Sequence, residues 1–319
     1  MDNVDVVLIG RNEGQRLVQA LKAVAGVVRS VVYVDSGSSD DSVAQAKMHG
    51  AVVVELDMSI PFTAARARNA GFAALESPEL VQFIDGDCAL VEGFLNAAAA
   101  HLDANPEIGI VTGWRAEIFP DASVYNLLAH IEWRQPAGPI VTCGGDMMVR
   151  AAAFEMVGGF NPNVIAAEDD DFCLRVGKAN WGLERLPLEM TRHDADMHKF
   201  SQWWQRATRA GHGFAQVDRL HPGHFRRPLL RVAFWAIFVP VLALITFSVT
   251  WLGVVAAIAL YGLSFWRSRQ RLAADAQTAP KASALAGLLT ISKIPNLIGI
   301  FTYYRRVATG RDMVLIEYK

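Results

Sequence analysis

The chain has 319 residues, with 30 basic and 32 acidic side chains and a net charge of −2. That length accommodates one large domain or one domain with an appendage. The near-balanced charge lacks the net basic face of most nucleic-acid binders, so no nucleic-acid partner is expected. Cys88, Cys143 and Cys173 are scattered without CxxC spacing, which argues against a disulfide scaffold or a cysteine metal site and for a reducing compartment.

Residues 4–10 (VDVVLIG) form a short apolar run that predicts a strand buried on both faces of a parallel sheet. A helix is expected over 15–28, with Leu17, Leu21 and Val24 at helical spacing. A second strand, SVVYVD, ends at Asp35. Gly37, Ser38 and Ser39 form a turn, and Asp40 or Asp41 can cap the next helix. AVVVELD and LVQFID read as the third and fourth strands, the latter ending at Asp85. Strands alternating with helices predict βαβ units, and ligands bind such sheets at the carboxyl ends of the strands. Asp35 and Asp85 should therefore face one crevice.

Further on, a helix is expected from Gly93 to about Ala104 and a strand at 108–114. Residues 116–135 read as less regular and able to cover the site. GGDMMVRAAAFEMVGGF offers a strand and a helix between glycine pairs. EDDDFCLRV starts a helix with its acids in the first turn, where the dipole favours them. LERLPLEMTRHD is a last strand with His193 at its end.

Mean hydropathy is +0.22, and the excess is concentrated late. Residues 229–266 are nearly uncharged, long enough for two short spans joined at 250–253, with Pro240 inside the first. Arg226, Arg227 and Arg231 precede the pair; Arg267, Arg269 and Arg271 follow it. Basic residues at both ends put both ends in the cytoplasm. A buried helical core is the alternative. Residues 282–304, interrupted by Lys293, Pro295 and Asn296, read as interfacial or re-entrant. Residues 199–211 combine Trp203 and Trp204 with Arg206 and Arg209, as an interfacial anchor or a solvated surface helix would. The division expected is an α/β domain over 1–225 and a membrane region over 226–319. The N-terminus reads as a strand rather than a basic and apolar leader, so the first domain is expected in the cytoplasm.

Several side chains carry chemistry. Asp85 and Asp87, one glycine apart at a strand end, can aim two carboxylates at a hard cation, although acidic pairs are also frequent in surface loops. Asp35 suits a ribose or base, or simple capping. Glu168 and Asp169 open an acidic run with Asp170 and Asp171 that suits either a site or a helix start. Asp169 is the preferred general base. His193 can complete the ligands of an ion that carries two carboxylates, or be structural. Arg66, Arg68 and Asn69 can grip a diphosphate, or form a solvated face.

Taken in order, VDSGSSDDS, ARNAGF, FIDGDC, GGDMMVRAAAFEMVGGF, AEDDDFCLRV and MTRHD resemble the family 2 inverting glycosyltransferases of GT-A fold, over nearly all of 4–194. The resemblance implies a mixed, mostly parallel sheet flanked by helices, and transfer of a sugar from a nucleotide-sugar, with UDP the expected nucleotide. By this similarity Asp35, with Ser36 beside it, contacts the base or ribose. Asp87 and Asp85 hold Mg²⁺ or Mn²⁺ on the diphosphate, and His193 completes the shell. Asp169 is the base, with Glu168 or Asp170 as alternatives. Gly144 and Gly145 form the loop near donor and acceptor. Asp146 stands where many relatives carry a neutral residue. The apolar hairpin and the terminal LIEYK resemble a membrane-attached subset that builds surface polysaccharides or glycolipids. That implies a lipid-linked or glycan acceptor at the inner (plasma) membrane, with the catalytic domain facing the cytoplasm. Without a clear QxxRW motif, single-sugar addition is expected rather than polymerisation. A nucleotidyltransferase would need a Gly-rich basic loop where GRNEG stands. An inactive membrane scaffold would not need intact acids and His193. No feature of the sequence speaks to oligomeric state.

Overall fold

A computed structural model describes residues 1–317. Tyr318 and Lys319, the end of LIEYK, lie outside the described residues. Met1–Phe119, Ala129–Asp196 and Met313–Leu315 form one compact unit; Pro120–Leu128, Met197–Asp312 and residues 316–317 belong to a second.

The first unit opens with β1 (Val4–Gly10), α1 (Gln15–Val24), β2 (Ser30–Asp35), α2 (Ser42–Met48), β3 (Val52–Glu55), α3 (Ala64–Ala73) and β4 (Leu80–Asp85). Next come β5 (Cys88–Leu90), α4 (Phe94–Ala104), β6 (Ile108–Glu117) and the part from Ala129 on of α5 (Val124–Trp133), whose first turns belong to the second unit. The unit closes with β7 (Gly138–Pro139), β8 (Met147–Arg150), α6 (Ala151–Met156), α7 (Glu168–Lys178) and β9 (Gly182–His193). Among the described residues nine strands form one sheet, ordered β3-β2-β1-β4-β8-β6-β9-β5, with β7 on β9. The β1, β2, β3 and β4 pairings are parallel, whereas β8 runs antiparallel to β4 and β6.

Strand alternation builds two cores. Val4, Val6 and Leu8 pack with Leu17, Leu21 and Phe94 on one face; Val7 and Ile9 pack with Ala65, Phe83, Phe160 and Phe172 on the other. That two-sided burial is why the strand reads as an unbroken apolar run. Asp5 is the exception. It is fully buried, and its carboxylate accepts from Arg29 Nε (3.0 Å) and Ser30 Oγ (2.7 Å). Two expectations change. The first helix stops at Val24, short of residue 28, because Gly26 takes φ 69° and turns the chain out. The stretch expected to be irregular contains the ten-residue α5, started by Ser123 Oγ, which accepts the Asn126 N–H.

The second unit is helical: α8 (Phe200–Leu220), α9 (Arg226–Ala233), α10 (Val239–Phe247), α11 (Leu252–Ala273), α12 (Ala282–Ile291) and α13 (Lys293–Thr309). A π turn at Phe234–Phe238 precedes Pro240 and joins α9 to α10. Proline lacks an N–H, and the Trp235 carbonyl accepts the Tyr261 hydroxyl instead. Helix α8 packs against other elements of its unit. Trp203 is buried against Tyr125 and Phe200. A Cβ at Gly211 would run into the Asn296 carbonyl, and one at Gly299 into that of Thr208, so α8 and α13 touch backbone to backbone.

Among the described residues two helices are long and apolar enough to cross a membrane, Arg226–Phe247 and Ala279–Thr309. The expected second arm, α11, is not one of them. Its apolar part ends at Trp266, before three arginines, and is about 22 Å long, short of a ~30 Å hydrocarbon core. Residues 282–304 are helical on both sides of Ser292. Pro295 sits in the first turn of α13, where a missing N–H costs little.

Candidate functional site

Strand order reverses around β1, whose neighbours are β2 and β4, so a crevice opens at their carboxyl ends. The register pairs Gly10 with Asp35 and Ile9 with Asp85, placing both acids at that edge. Gly86 is favoured by crowding rather than by its dihedral angles. Its N–H donates to the Ile9 carbonyl at 2.7 Å, and a Cβ there would meet that oxygen at 3.1 Å.

Beyond the turn, β5 pairs antiparallel with β9, setting Cys88 opposite His193. This brings His193 Nε2 to 3.2 Å from Asp87 Oδ2. Adjacent ligands at right angles on an ion with ~2.1 Å bonds stand roughly 3 Å apart, so the two donors fit a small divalent cation. On the other side of the ring, His193 Nδ1 lies 3.6 Å from Glu117 Oε2. Glu117 is itself held by the Phe119 and Ala195 N–H groups (3.1 and 2.9 Å). A carboxylate behind a histidine ligand fixes its ring and raises its basicity. Burial lowers the His193 pKa, but Asp87 and Glu117 outweigh it and hold the imidazole above its ordinary 6.5.

On the other flank Arg68, 2% exposed, donates through Nη2 to Asp85 Oδ1 and through Nη1 to Glu168 Oε1, both at 2.8 Å. Burial opposes its charge, yet Asp85 and Glu168 keep its pKa above the usual arginine value. Burial likewise opposes the Asp85 charge, but Arg68 and Arg115 keep that carboxyl below its ordinary pKa. Of the acidic run, Glu168 is thus taken by Arg68. Asp171 accepts from Arg175 Nε (2.9 Å) and Nη2 (2.8 Å), and Arg175 also ties down the Val157 and Gly159 carbonyls. Asp169 has no cationic partner of this kind. Burial first, then Glu168 and Asp170, push its pKa well above the carboxylate range. Ala167 enters the helix in the left-handed region (φ 59°, ψ 34°), an uncommon conformation at a non-glycine.

The glycine pair meets these groups unequally. A Cβ at Gly144 would stand 3.9 Å from Asp169 Oδ2, an ordinary contact, whereas one at Gly145 would overlap the Arg68 guanidinium. Gly145→Ala is therefore expected to cost about 1–3 kcal/mol of stability, with Gly144→Ala near wild type. Thermal unfolding of both variants checks this, and equal midpoints would refute it.

The remaining expected residues lie in other settings. Arg66 donates to the carbonyls of Asp57, Ile60 and Pro61 and shapes their loop. Asn69 brackets Phe160, donating to its carbonyl (2.7 Å) and accepting its N–H (2.9 Å). Neither joins the acids. Asp35 is buried, accepting the Gly37 and Ser38 N–H groups on Oδ2 and the Tyr33 hydroxyl on Oδ1. The Ser36 hydroxyl beside it is buried without a hydrogen-bond partner. Cys143 and Cys173, distant in sequence, are free thiols that share a hydrogen bond with their sulfurs 3.6 Å apart. Sequence reasoning missed Glu117, Arg115 and Trp133. Charges at alternate positions of β6, Arg115 and Glu117, were the one available signal.

Comparison with known proteins places the fold. The family model described as "Glycosyl transferase family 2" matches residues 5–153, and "Glycosyl transferase family group 2" matches 80–268, more than half of the chain. No curated protein sequence matches significantly. Among solved structures, a mannosyltransferase from Pyrobaculum calidifontis in complex with GDP-Man and Mn²⁺ aligns with TM-score 0.60 at 16% identity, covering 94% of this chain and 87% of that one. S. aureus TarS 1–349 in complex with UDP-GlcNAc aligns with TM-score 0.51 at 13% identity, over 97% and 92%. M. tuberculosis glucosyl-3-phosphoglycerate synthase aligns with TM-score 0.50 at 18% identity, over 68% and 79%. At such identities the structural likeness establishes the fold, and the match over 80–268 establishes the rest: the chain belongs to the family 2 glycosyltransferases.

Proposed function

We propose that the protein is an inverting, metal-dependent transferase that moves a sugar from a nucleotide-sugar, UDP-linked in our reading, to the hydroxyl of a lipid-linked or glycan acceptor. The observation that carries the reading is the Asp87–His193 pair, two ligand atoms 3.2 Å apart with the Glu117 carboxylate behind the ring. Among the described residues, Asp85, Asp146, Glu168 and Asp169 add carboxylates faced by two guanidinium groups, buried Arg68 and half-buried Arg115. Such an excess of negative charge suits a cation. Asp87 and His193 would hold Mg²⁺ or Mn²⁺, with Asp85 beside them; the ion's chemistry when bound is to neutralise charge on the leaving diphosphate.

Asp169 takes the proton of the acceptor hydroxyl. That oxygen forms its bond to the anomeric carbon as the bond to the diphosphate breaks on the opposite face, so configuration inverts. Arg68 keeps Glu168 and Asp85 in place, and Asp35 with Ser36 lines the nucleoside end. Buried, fixed charges need no reorganisation during the reaction, the condition under which electrostatic stabilisation is largest.

Calorimetric titration with UDP and Mn²⁺ tests the reading. Wild type should bind both, and Asp87→Ala should lose the metal dependence; binding of UDP indifferent to Mn²⁺ in wild type would overturn it. Acid should weaken the metal. The raised His193 pKa stabilises the metal-free fold below about pH 6.5, and that contribution is lost as pH rises through the folded value. A metal needs the neutral ring, so Mn²⁺ affinity should fall about tenfold for each unit of acidification below the folded pKa.

The helices of the second unit attach the enzyme to the inner (plasma) membrane from its cytoplasmic side in this reading. Support comes from their surface: Leu244 is 73% and Val249 88% exposed, and 11% of the most apolar window of Arg226–Phe247 is buried. Large exposed apolar patches mark interaction surfaces. The protein should stay with membranes through an alkaline carbonate wash, and full release would refute attachment by insertion.

A further inference from the structure

Asp146 and Arg115 do no chemistry in the reaction above, yet they stand against both metal-binding elements. Asp146, 1% exposed, accepts the Asp85 backbone N–H on Oδ1 (3.1 Å) and the Thr191 hydroxyl on Oδ2 (2.8 Å). Its carbonyl accepts the Thr112 hydroxyl (3.1 Å). It therefore ties β4, β6 and β9 together at the head of β8. Arg115 Nη2 lies 2.7 Å from Asp146 Oδ2 and 3.3 Å from Asp85 Oδ2. Its guanidinium carbon stands 5.4 Å over the Trp133 ring, and Trp133 meets the His193 ring edge-on at 4.7 Å.

We propose that Arg115, anchored by Asp146, is the positioning residue of the metal-binding pair, fixing the Asp85-Gly86-Asp87 turn on one side and Trp133 against His193 on the other. The inference rests on the metal-dependent reading above. A planar guanidinium is needed because it meets two carboxylates and an aromatic face at once, which an ammonium cannot. An aspartate is needed at 146 because one oxygen must take the Asp85 N–H while the other balances Arg115. A neutral residue there would leave Arg115 to pull on Asp85 alone.

Arg115→Met alone strands a buried carboxylate and risks unfolding. The decisive variant is Arg115→Met with Asp146→Asn, which keeps the net charge and the acceptor for the Asp85 N–H. Charge bookkeeping then predicts no change in metal affinity, whereas positioning predicts a loss. Mn²⁺ binding in the presence of UDP is followed by electron paramagnetic resonance, and unfolding of the ligand-free protein by circular dichroism. The expected result is a dissociation constant for Mn²⁺ raised by about 10–100-fold, an unfolding midpoint near wild type, and intermediate affinity for Arg115→Lys. Wild-type affinity in the double variant overturns the inference, as does a lowered midpoint with normal Mn²⁺ binding by the folded fraction. Wild type that binds no Mn²⁺ overturns the metal reading and this inference with it.

Discussion

Asp169→Asn is expected to lower kcat by about 10²–10⁴-fold, the usual worth of a positioned general base, while donor affinity stays near wild type. Among the four acids of its run, Glu168 is bound to Arg68 and Asp171 to Arg175. Asp169 is the one whose pKa burial and its neighbours drive well upward, and a base with a raised pKa accepts a proton more readily. An amide of the same shape keeps the packing and removes the proton acceptor. The acid limb of the kcat–pH profile should lie above the ordinary carboxylate range in wild type and disappear in the variant. Parallel kinetics on Asp170→Asn decide the assignment: if that variant loses the rate and Asp169→Asn retains it, the base is the wrong residue.

Arg68→Ala should cost about 3 kcal/mol, because it leaves buried Glu168 without its cationic partner and half-buried Asp85 with Arg115 alone. For a protein of this size that lowers the unfolding midpoint by roughly 10 °C. Arg68→Lys should restore little, since one ammonium cannot bridge two carboxylates as a fork does. Glu168→Gln combined with Arg68→Met removes one buried charge of each sign and should recover part of the loss. Thermal unfolding of these proteins and of the Glu168→Gln and Arg68→Met single variants tests this; additive losses in the double variant would show that the bridge is not a coupled unit.

Local signals carried much of the fold. Seven strands and the helices between them are written in short-range patterns: the unbroken apolar run of β1, the acids closing β2 and β4, the histidine closing β9. The α5 helix escaped because its start depends on one hydroxyl, Ser123, in a stretch without clear periodicity. The end of α1 escaped because Gly26 stops the helix while the residues after it remain apolar. At the site, the types of residue were legible but their partners were not. Arg66 and Asn69 read like phosphate ligands until the fold gave them backbone groups of Asp57, Ile60, Pro61 and Phe160 to hold.

The sequence by itself determined the alternating strands and helices, the carboxylates at the strand ends and the apolar tail, because each follows from spacing within a few residues. Only the tertiary structure decided that Arg68 locks Glu168 and Asp85, that Arg175 takes Asp171, and that Glu117, Arg115 and Asp146 stand behind the Asp87–His193 pair. Those pairings join residues 100 positions apart, as Arg68 and Glu168 are, or 61 apart, as Asp85 and Asp146 are. Ion pairs and hydrogen bonds act over about 3 Å in space, and the sheet, not the order of the chain, brings those atoms within reach.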